Sequence, residues 1–213
     1  MLAVVGVVVA IVAVVCILWL DRPLLRMLNR IGVQYSSWSK RTADLAGSTP
    51  ILLGAALLLA VAVTERWRRL AAGAGAVFVC VAGAGLAVNV VKFIFGRYRP
   101  KAMWNGRVPG EGPVYAFRWF ETANMSTSFP SGHAVTAFAL ATALSMLTPR
   151  WAWLWFTWAV VAAAARVPAL AHFPSDVVVG AYFGTVAALL LFRPGHALGL
   201  TLFDAIHGRR LRS

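Results

Sequence analysis

The sequence predicts an all-α integral membrane protein, a six-transmembrane-helix bundle with an interfacial amphipathic helix after the first span. Three observations carry this. The chain has 213 residues, which fits a single domain over 1–213. It is 60% hydrophobic and only 13% charged, with a mean hydropathy of +0.75. Soluble domains are nearer half apolar and a quarter charged, and disordered chains are more polar still. Its apolar residues are also gathered into six runs with breakers between them, which suits bilayer-spanning helices of about 20 residues.

The runs follow in order. Residues 2–20 form the first. They lack a basic leader and an A-x-A site, so a retained helix is expected rather than a cleaved signal. Residues 21–48 are mixed. Arg22, Arg26 and Arg30 recur every four positions, with Leu24, Leu28, Ile31 and Tyr35 on another face. This pattern suits a helix lying in the interface plane, and equally a helix packed on the bundle with one face solvated; Gly32 interrupts it. Residues 49–64 form the second span and 70–95 a third, rich in Gly and Ala. The connection 96–131 mixes Gly, Pro and aromatics (Trp104, Tyr115, Phe117, Trp119, Phe120, Phe129), as an interfacial rim would. Spans four, five and six are 132–148, 151–170 and 176–192. Trp151, Trp153, Trp155 and Trp158 open the fifth and read as an anchoring indole belt. Cys16 and Cys80 lie inside apolar runs and read as small buried hydrophobes, so neither a disulfide nor a metal site is expected.

Charge then narrows the function. Twenty Lys and Arg against seven Asp and Glu give +13. In a membrane chain this points to anionic headgroups, phosphate or orientation, and not to nucleic acid. Charges inside spans cost about 2.5–3.5 kcal/mol each at the bilayer centre, so the exceptions matter. Lys92 and Arg99 lie at the end of span three, His133 at the start of span four. Arg166 and His172 lie at the end of span five, Asp176 at the start of span six. Spans three and five end on the side where four and six begin, so all six residues converge on one end of the bundle. One carboxylate cannot balance three fixed cations there. A phosphate-like dianion can.

The local patterns fit that ligand. Pro130-Ser131-Gly132-His133 reads as a turn into a helix. Gly132 lets backbone N–H groups approach an oxyanion at the helix N-terminus, and Ser131 either caps the helix or bonds the ligand. Asp176 follows His172 by four positions, with Pro174 between them. A turn joining them would fix the imidazole tautomer, making His172 a nucleophile and leaving His133 as general acid. His196 and His207, in the C-terminal tail, read as structural or solvated; Asn89 reads as a helix–helix hydrogen bond.

These residues resemble the type 2 phosphatidic acid phosphatase superfamily. Its K-x6-R-P motif is matched by Lys92, Arg99 and Pro100, and its P-S-G-H by Pro130 to His133. Its S-R-x5-H-x3-D is matched by Arg166, His172 and Asp176, with Ala165 in place of the Ser. If that Ser donates to phosphate, a bond worth about 1–3 kcal/mol is missing. Thr127, Ser128 and Asn124 are candidates to replace it.

The resemblance implies a membrane lipid phosphatase of bacterial type that acts through a phosphohistidine. His172, oriented by Asp176, would attack phosphorus, and His133 would protonate the leaving oxygen. Lys92, Arg99, Ser131, Gly132 and Arg166 would hold the phosphoryl oxygens. It implies no metal or other cofactor, and a lipid phosphate as substrate: phosphatidic acid, phosphatidylglycerol phosphate, a polyprenyl diphosphate or a glycolipid phosphate. It also implies the bacterial inner membrane, with the site on the periplasmic face. Basic residues number twelve on the motif side and eight on the other, and nine against eight without Lys92, Arg99 and Arg166. Charge counting therefore does not set orientation. The same site could serve a phosphotransferase or a non-catalytic lipid-binding protein. A channel fits less well, because mid-span polar residues are scarce.

Overall fold

The computed structural model describes residues 2–32, 48–104, 117–120 and 127–208. Every apolar run of the sequence contains a helix within them. Helix α1 (Leu2–Val15) passes through a π-helical turn, Cys16–Leu20, into α2 (Asp21–Ile31). Gly32 ends it with φ 73°, its N–H donating to Asn29 O at 3.2 Å. Glycine adopts this left-handed conformation without a Cβ penalty. The helix expected across 21–48 therefore stops at residue 31, and 33–47 lie outside the described residues. Arg22, Arg26 and Arg30 are exposed on α2, while Leu25 is buried.

Helices α3 (Ser48–Thr64) and α4 (Arg68–Ile94) follow, joined by a tight turn at Arg66. A short antiparallel pair, β1 (Phe95–Gly96) and β2 (Arg118–Trp119), flanks helix α5 (Pro100–Trp104). Then come α6 (Gly132–Leu147), α7 (Ala152–Ala164) and α8 (Pro174–Gly208). Among the described residues, three helical stretches are long and apolar enough to cross a membrane: Leu2–Ile31, Arg68–Ile94 and Pro174–Gly208. The α3, α6 and α7 helices have 17, 16 and 13 residues. At about 1.5 Å per residue they fall short of a hydrocarbon core of about 30 Å.

Two boundaries differ from expectation. The fifth apolar run stays helical only to Ala164. Residues 165–173 are turns, with Pro168 unable to continue a helix and Leu170 at φ 50°. The sixth helix does not stop at Arg193-Pro194; it continues through Pro194 to Gly208. Past the proline, Gly195 and Gly199 lie against Gly75 and Ala71 of α4, so close that a Cβ on Gly75 would sit 2.7 Å from the Gly195 carbonyl. Backbone-to-backbone packing holds this segment where local propensity would end it. His196 and His207 stack on Phe192 and Phe203 of the same helix.

The core is built from small residues, with Cys80, Val81, Ala84, Val88, Val135, Ala139, Ala143 and Ala188 in one cluster. Both Cys16 and Cys80 are buried and free. The tryptophans of the fifth run divide. Trp151 and Trp153 are exposed, whereas Trp155 and Trp158 pack on an alanine cluster between α6 and α7.

Candidate active site

Close helix crossing places the motifs. A Cβ on Gly180 would sit 2.7 Å from the Ser131 carbonyl, and one on Gly184 would collide with the Val135 carbonyl. The N-terminal ends of α6 and α8 thus lie backbone to backbone. The Ser131 N–H donates to the Asp176 carbonyl at 3.0 Å, tying P-S-G-H to the third motif. Of the two roles open to Ser131, the structure shows the helix cap: its Oγ accepts from Ala134 N–H at 3.5 Å. The Lys92 ammonium would lie 3.1 Å from a Cβ at residue 132, so glycine lets it sit close against the start of α6.

Lys92, Arg99, Gly132, His133 and His172 line one cleft of about 460 Å³. The convergence inferred from topology is therefore present for four of its six residues, Lys92, Arg99, His133 and His172. Arg166 and Asp176 are buried nearby and hold the turns. The Arg166 carbonyl accepts from Ala171 and His172 N–H, at 3.2 and 3.3 Å. Arg99 Nη2 donates to Thr127 Oγ1 at 3.4 Å, while its Nε is buried with no hydrogen-bond partner among the described residues. Ala165 is buried at the end of α7. Asn89 lines the cleft, where a helix–helix contact was expected.

His172 is held differently from the expectation. Its Nδ1 lies 2.8 Å from the Ser128 carbonyl and 3.8 Å from Asp176 Oδ2. A carbonyl only accepts, so Nδ1 carries the proton and Nε2 keeps its lone pair. The second distance exceeds a hydrogen bond. Asp176 therefore acts on the ring as a nearby charge, and the Ser128 carbonyl sets the tautomer. Asp176 sits in the first turn of α8, where Oδ2 accepts from Phe173 N–H at 2.9 Å and Ser128 Oγ at 2.6 Å. The first is half of a capping box.

Burial pushes the His172 imidazole below its usual range; Asp176 opposes this, while Arg99 and Lys92 add to it. The neutral form therefore persists below the ordinary value of about 6.5. The acid limb of kcat/KM should fall below that pH. Asp176→Asn removes the charge that favours imidazolium, so its limb should lie lower still. Substrate ionisation is common to both enzymes and drops out of the comparison. An upward shift in Asp176→Asn would refute this electrostatic role.

Sequence reading missed Arg97, Asp21 and Ser175. Arg97 lies within the first motif and is fully buried. Its Nη1 meets Asp176 Oδ1 at 2.6 Å and Ser175 Oγ at 2.7 Å, its Nη2 meets Asp21 Oδ2 at 2.8 Å, and it stacks 3.8 Å from the Phe173 ring centroid. Its carbonyl also accepts from Ser128 N–H at 2.9 Å. The available signal was a carboxylate, Asp21, at the end of an apolar span, where a partner is expected.

The PAP2 superfamily model matches residues 73–198, more than half of the chain and all three motifs. This chain belongs to the PAP2 superfamily. Among curated relatives it is 34% identical over 113 residues to a lipid A 1-phosphatase of Rhizobium johnstonii, covering 53% of this chain and 44% of that protein. The match to a lipid A 1-phosphatase of Rhizobium etli is likewise 34% over 113 residues, covering 53% and 46%. A bacitracin transport permease protein, BcrC, of Bacillus licheniformis is 31% identical over 90 residues, covering 40% and 44%. The aligned part is thus about half the length of these curated relatives. The crystal structure of Aquifex aeolicus LpxE superposes with a TM-score of 0.56 at 22% identity, covering 82% of this chain and 95% of that one. That likeness extends the PAP2 fold over most of the chain. The cleft described above is the part of this PAP2 protein where its three motifs meet.

Proposed function

We propose that this protein is a metal-independent phosphatase that cleaves the phosphomonoester or diphosphate of a membrane lipid through a phosphohistidine. One observation carries the reading. A neutral imidazole with its tautomer fixed lines the same cleft as Lys92 and Arg99. His172 Nε2 attacks phosphorus, the bond to the leaving oxygen breaks, and His133 supplies that oxygen with a proton. Water then attacks the phosphohistidine, giving up a proton to His133, and phosphate leaves. Lys92, Arg99 and Arg166 with the Gly132 N–H stabilise the charge that builds on the equatorial oxygens, and Ser131 holds that N-terminus in place. Among the described residues no group of three His, Cys, Asp or Glu side chains is placed to hold a metal ion.

A lipid substrate is supported by the lower wall of the cleft, which is apolar: Leu52, Val81, Ala82, Leu86 and Val88 continue down α3 and α4 from the cations. The names of the curated relatives put a glycolipid phosphate such as lipid A among the first substrates to try. In this reading all six apolar helices sit in the inner membrane of a bacterium as one domain over 1–213. The arginine face of α2 lies in the interface plane, and the cleft opens to the periplasm.

Gly85 offers a probe of the tail path. It lines the cleft, and a Cβ there would meet nothing within 4 Å. Gly85→Leu should raise KM for a long-chain lipid phosphate roughly tenfold. A short water-soluble phosphate ester should be affected far less. Equal losses on both would argue against a tail along α4.

The deciding experiment is phosphate release by purified protein in detergent with chelator present. Lipid A, phosphatidic acid, phosphatidylglycerol phosphate and a polyprenyl diphosphate are offered in parallel, in heavy-oxygen water. Labelled phosphate from one lipid supports the hydrolase. Phosphate transferred to a hydroxyl acceptor would replace it with a transferase, and lipid binding without any turnover would replace it with a binding protein.

A further inference from the structure

Asp21 takes no part in the reaction written above, yet its side chain is fully buried beside the site. It lies 76 positions from Arg97 and 154 from Ser175 in sequence. Three donors converge on its carboxylate: Arg97 Nη2 at 2.8 Å, Ser175 Oγ at 2.6 Å and Ser175 N–H at 3.1 Å. The last bond caps the N-terminus of α8 from a different helix, in the turn that carries Asp176. A π-helical turn, Cys16–Leu20, ends immediately before Asp21. Such insertions re-aim the side chains that follow them and recur at functional sites. The helix is also seated on both sides of this point. Leu25 packs with Ala102, Leu170 and Phe173, and Tyr182 donates to the Leu2 carbonyl at 2.9 Å.

From Asp21 an unbroken path of short polar contacts reaches the nucleophile. Asp21 and Asp176 share the two Nη atoms of Arg97. Asp176 accepts from Ser128 Oγ, and the Ser128 carbonyl accepts from His172 Nδ1. One guanidinium divided between two carboxylates neutralises neither fully. Asp176 therefore keeps negative character facing the ring that becomes cationic when phosphohistidine forms.

We propose that Asp21 is a positioning residue for phosphoryl transfer: through Arg97 and Ser175 it fixes Asp176 and Ser128, and through them His172. This rests on the phosphohistidine reading above. It gives the N-terminal helix a part in the chemistry, although that helix lies outside all three family motifs and outside the matched residues 73–198.

The test is a double-mutant cycle between Asp21→Asn and Asp176→Asn, read on two quantities. One is turnover of the lipid phosphate; the other is affinity for vanadate, which takes five-coordinate geometry at a phosphoryl-transfer histidine. Asp21→Asn alone should lower kcat about tenfold to a hundredfold and weaken vanadate binding, with KM little changed. In the Asp176→Asn background the same change should cost less than about twofold, because its effect passes through Asp176. A helix that only anchors the fold would cost the same factor in both backgrounds. That result, or wild-type turnover in Asp21→Asn, overturns the proposal. If Asp21→Asn fails to fold, Ser175→Ala removes one link of the same path and carries the cycle under the same criteria. If the wild type hydrolyses no lipid, the vanadate cycle still decides. Non-additive losses there uphold positioning while the hydrolase reading fails, additive losses overturn positioning alone, and no vanadate binding by the wild type overturns both.

Discussion

Replacing His172 by Ala should abolish phosphate release, a fall of about 10⁴-fold or more, while leaving a folded protein. The size of the effect follows from covalent catalysis. In the proposed mechanism the imidazole supplies the bond to phosphorus, and its Nδ1 proton is held on the Ser128 carbonyl. His133 sits in the first turn of α6 and lines the same cleft, and in the proposed mechanism it gives the leaving oxygen its proton. The structural cost is smaller. Truncation removes a buried ring and leaves the Ser128 carbonyl without its donor, about 1–3 kcal/mol. Phosphate release and thermal unfolding of the same preparation separate the two effects. Turnover near wild type would remove His172 from the reaction, whatever the fold does.

The largest loss of stability should come from Arg97→Met. Arg97 is the cation shared by two fully buried carboxylates, Asp21 and Asp176. A buried ion pair adds little over a well-packed apolar substitute, but stripping away one partner costs about 3–5 kcal/mol because a charge is left unpaired. Here two charges are stranded at once, at the junction of α2, α4 and α8. Loss of folded protein in detergent is the expected outcome, judged by yield and unfolding midpoint. Adding Asp21→Asn to Arg97→Met should recover part of the loss, since it removes one stranded charge. A single mutant with the wild-type midpoint would show that the network contributes nothing to the fold.

Much of this arrangement was legible in the residues alone. Lys92, Arg99, His133 and His172 were found as charges and rings that a membrane segment would not otherwise keep, and alternation of the spans put them on one side. They do line one cleft. Their legibility has a physical reason. A bilayer penalises charge so strongly that function stands out against a background of Leu, Val and Ala. The helical segments were legible for the same reason, although α7 ends at Ala164 and α8 runs through Pro194. Those limits were set by Pro168 and a left-handed Leu170 in the first case, and by glycine-to-glycine packing on α4 in the second.

What the sequence by itself determined is therefore the helical membrane class and the three motifs. The tertiary structure alone decided how the His172 imidazole is held. The Ser128 carbonyl on Nδ1, the shared guanidinium of Arg97 and the carboxylate of Asp21 join residues as much as 154 positions apart. No periodicity or spacing encodes such contacts. They form because every buried charge and polar backbone group must find a partner, and the partner is whichever donor the packed helices bring within about 3 Å.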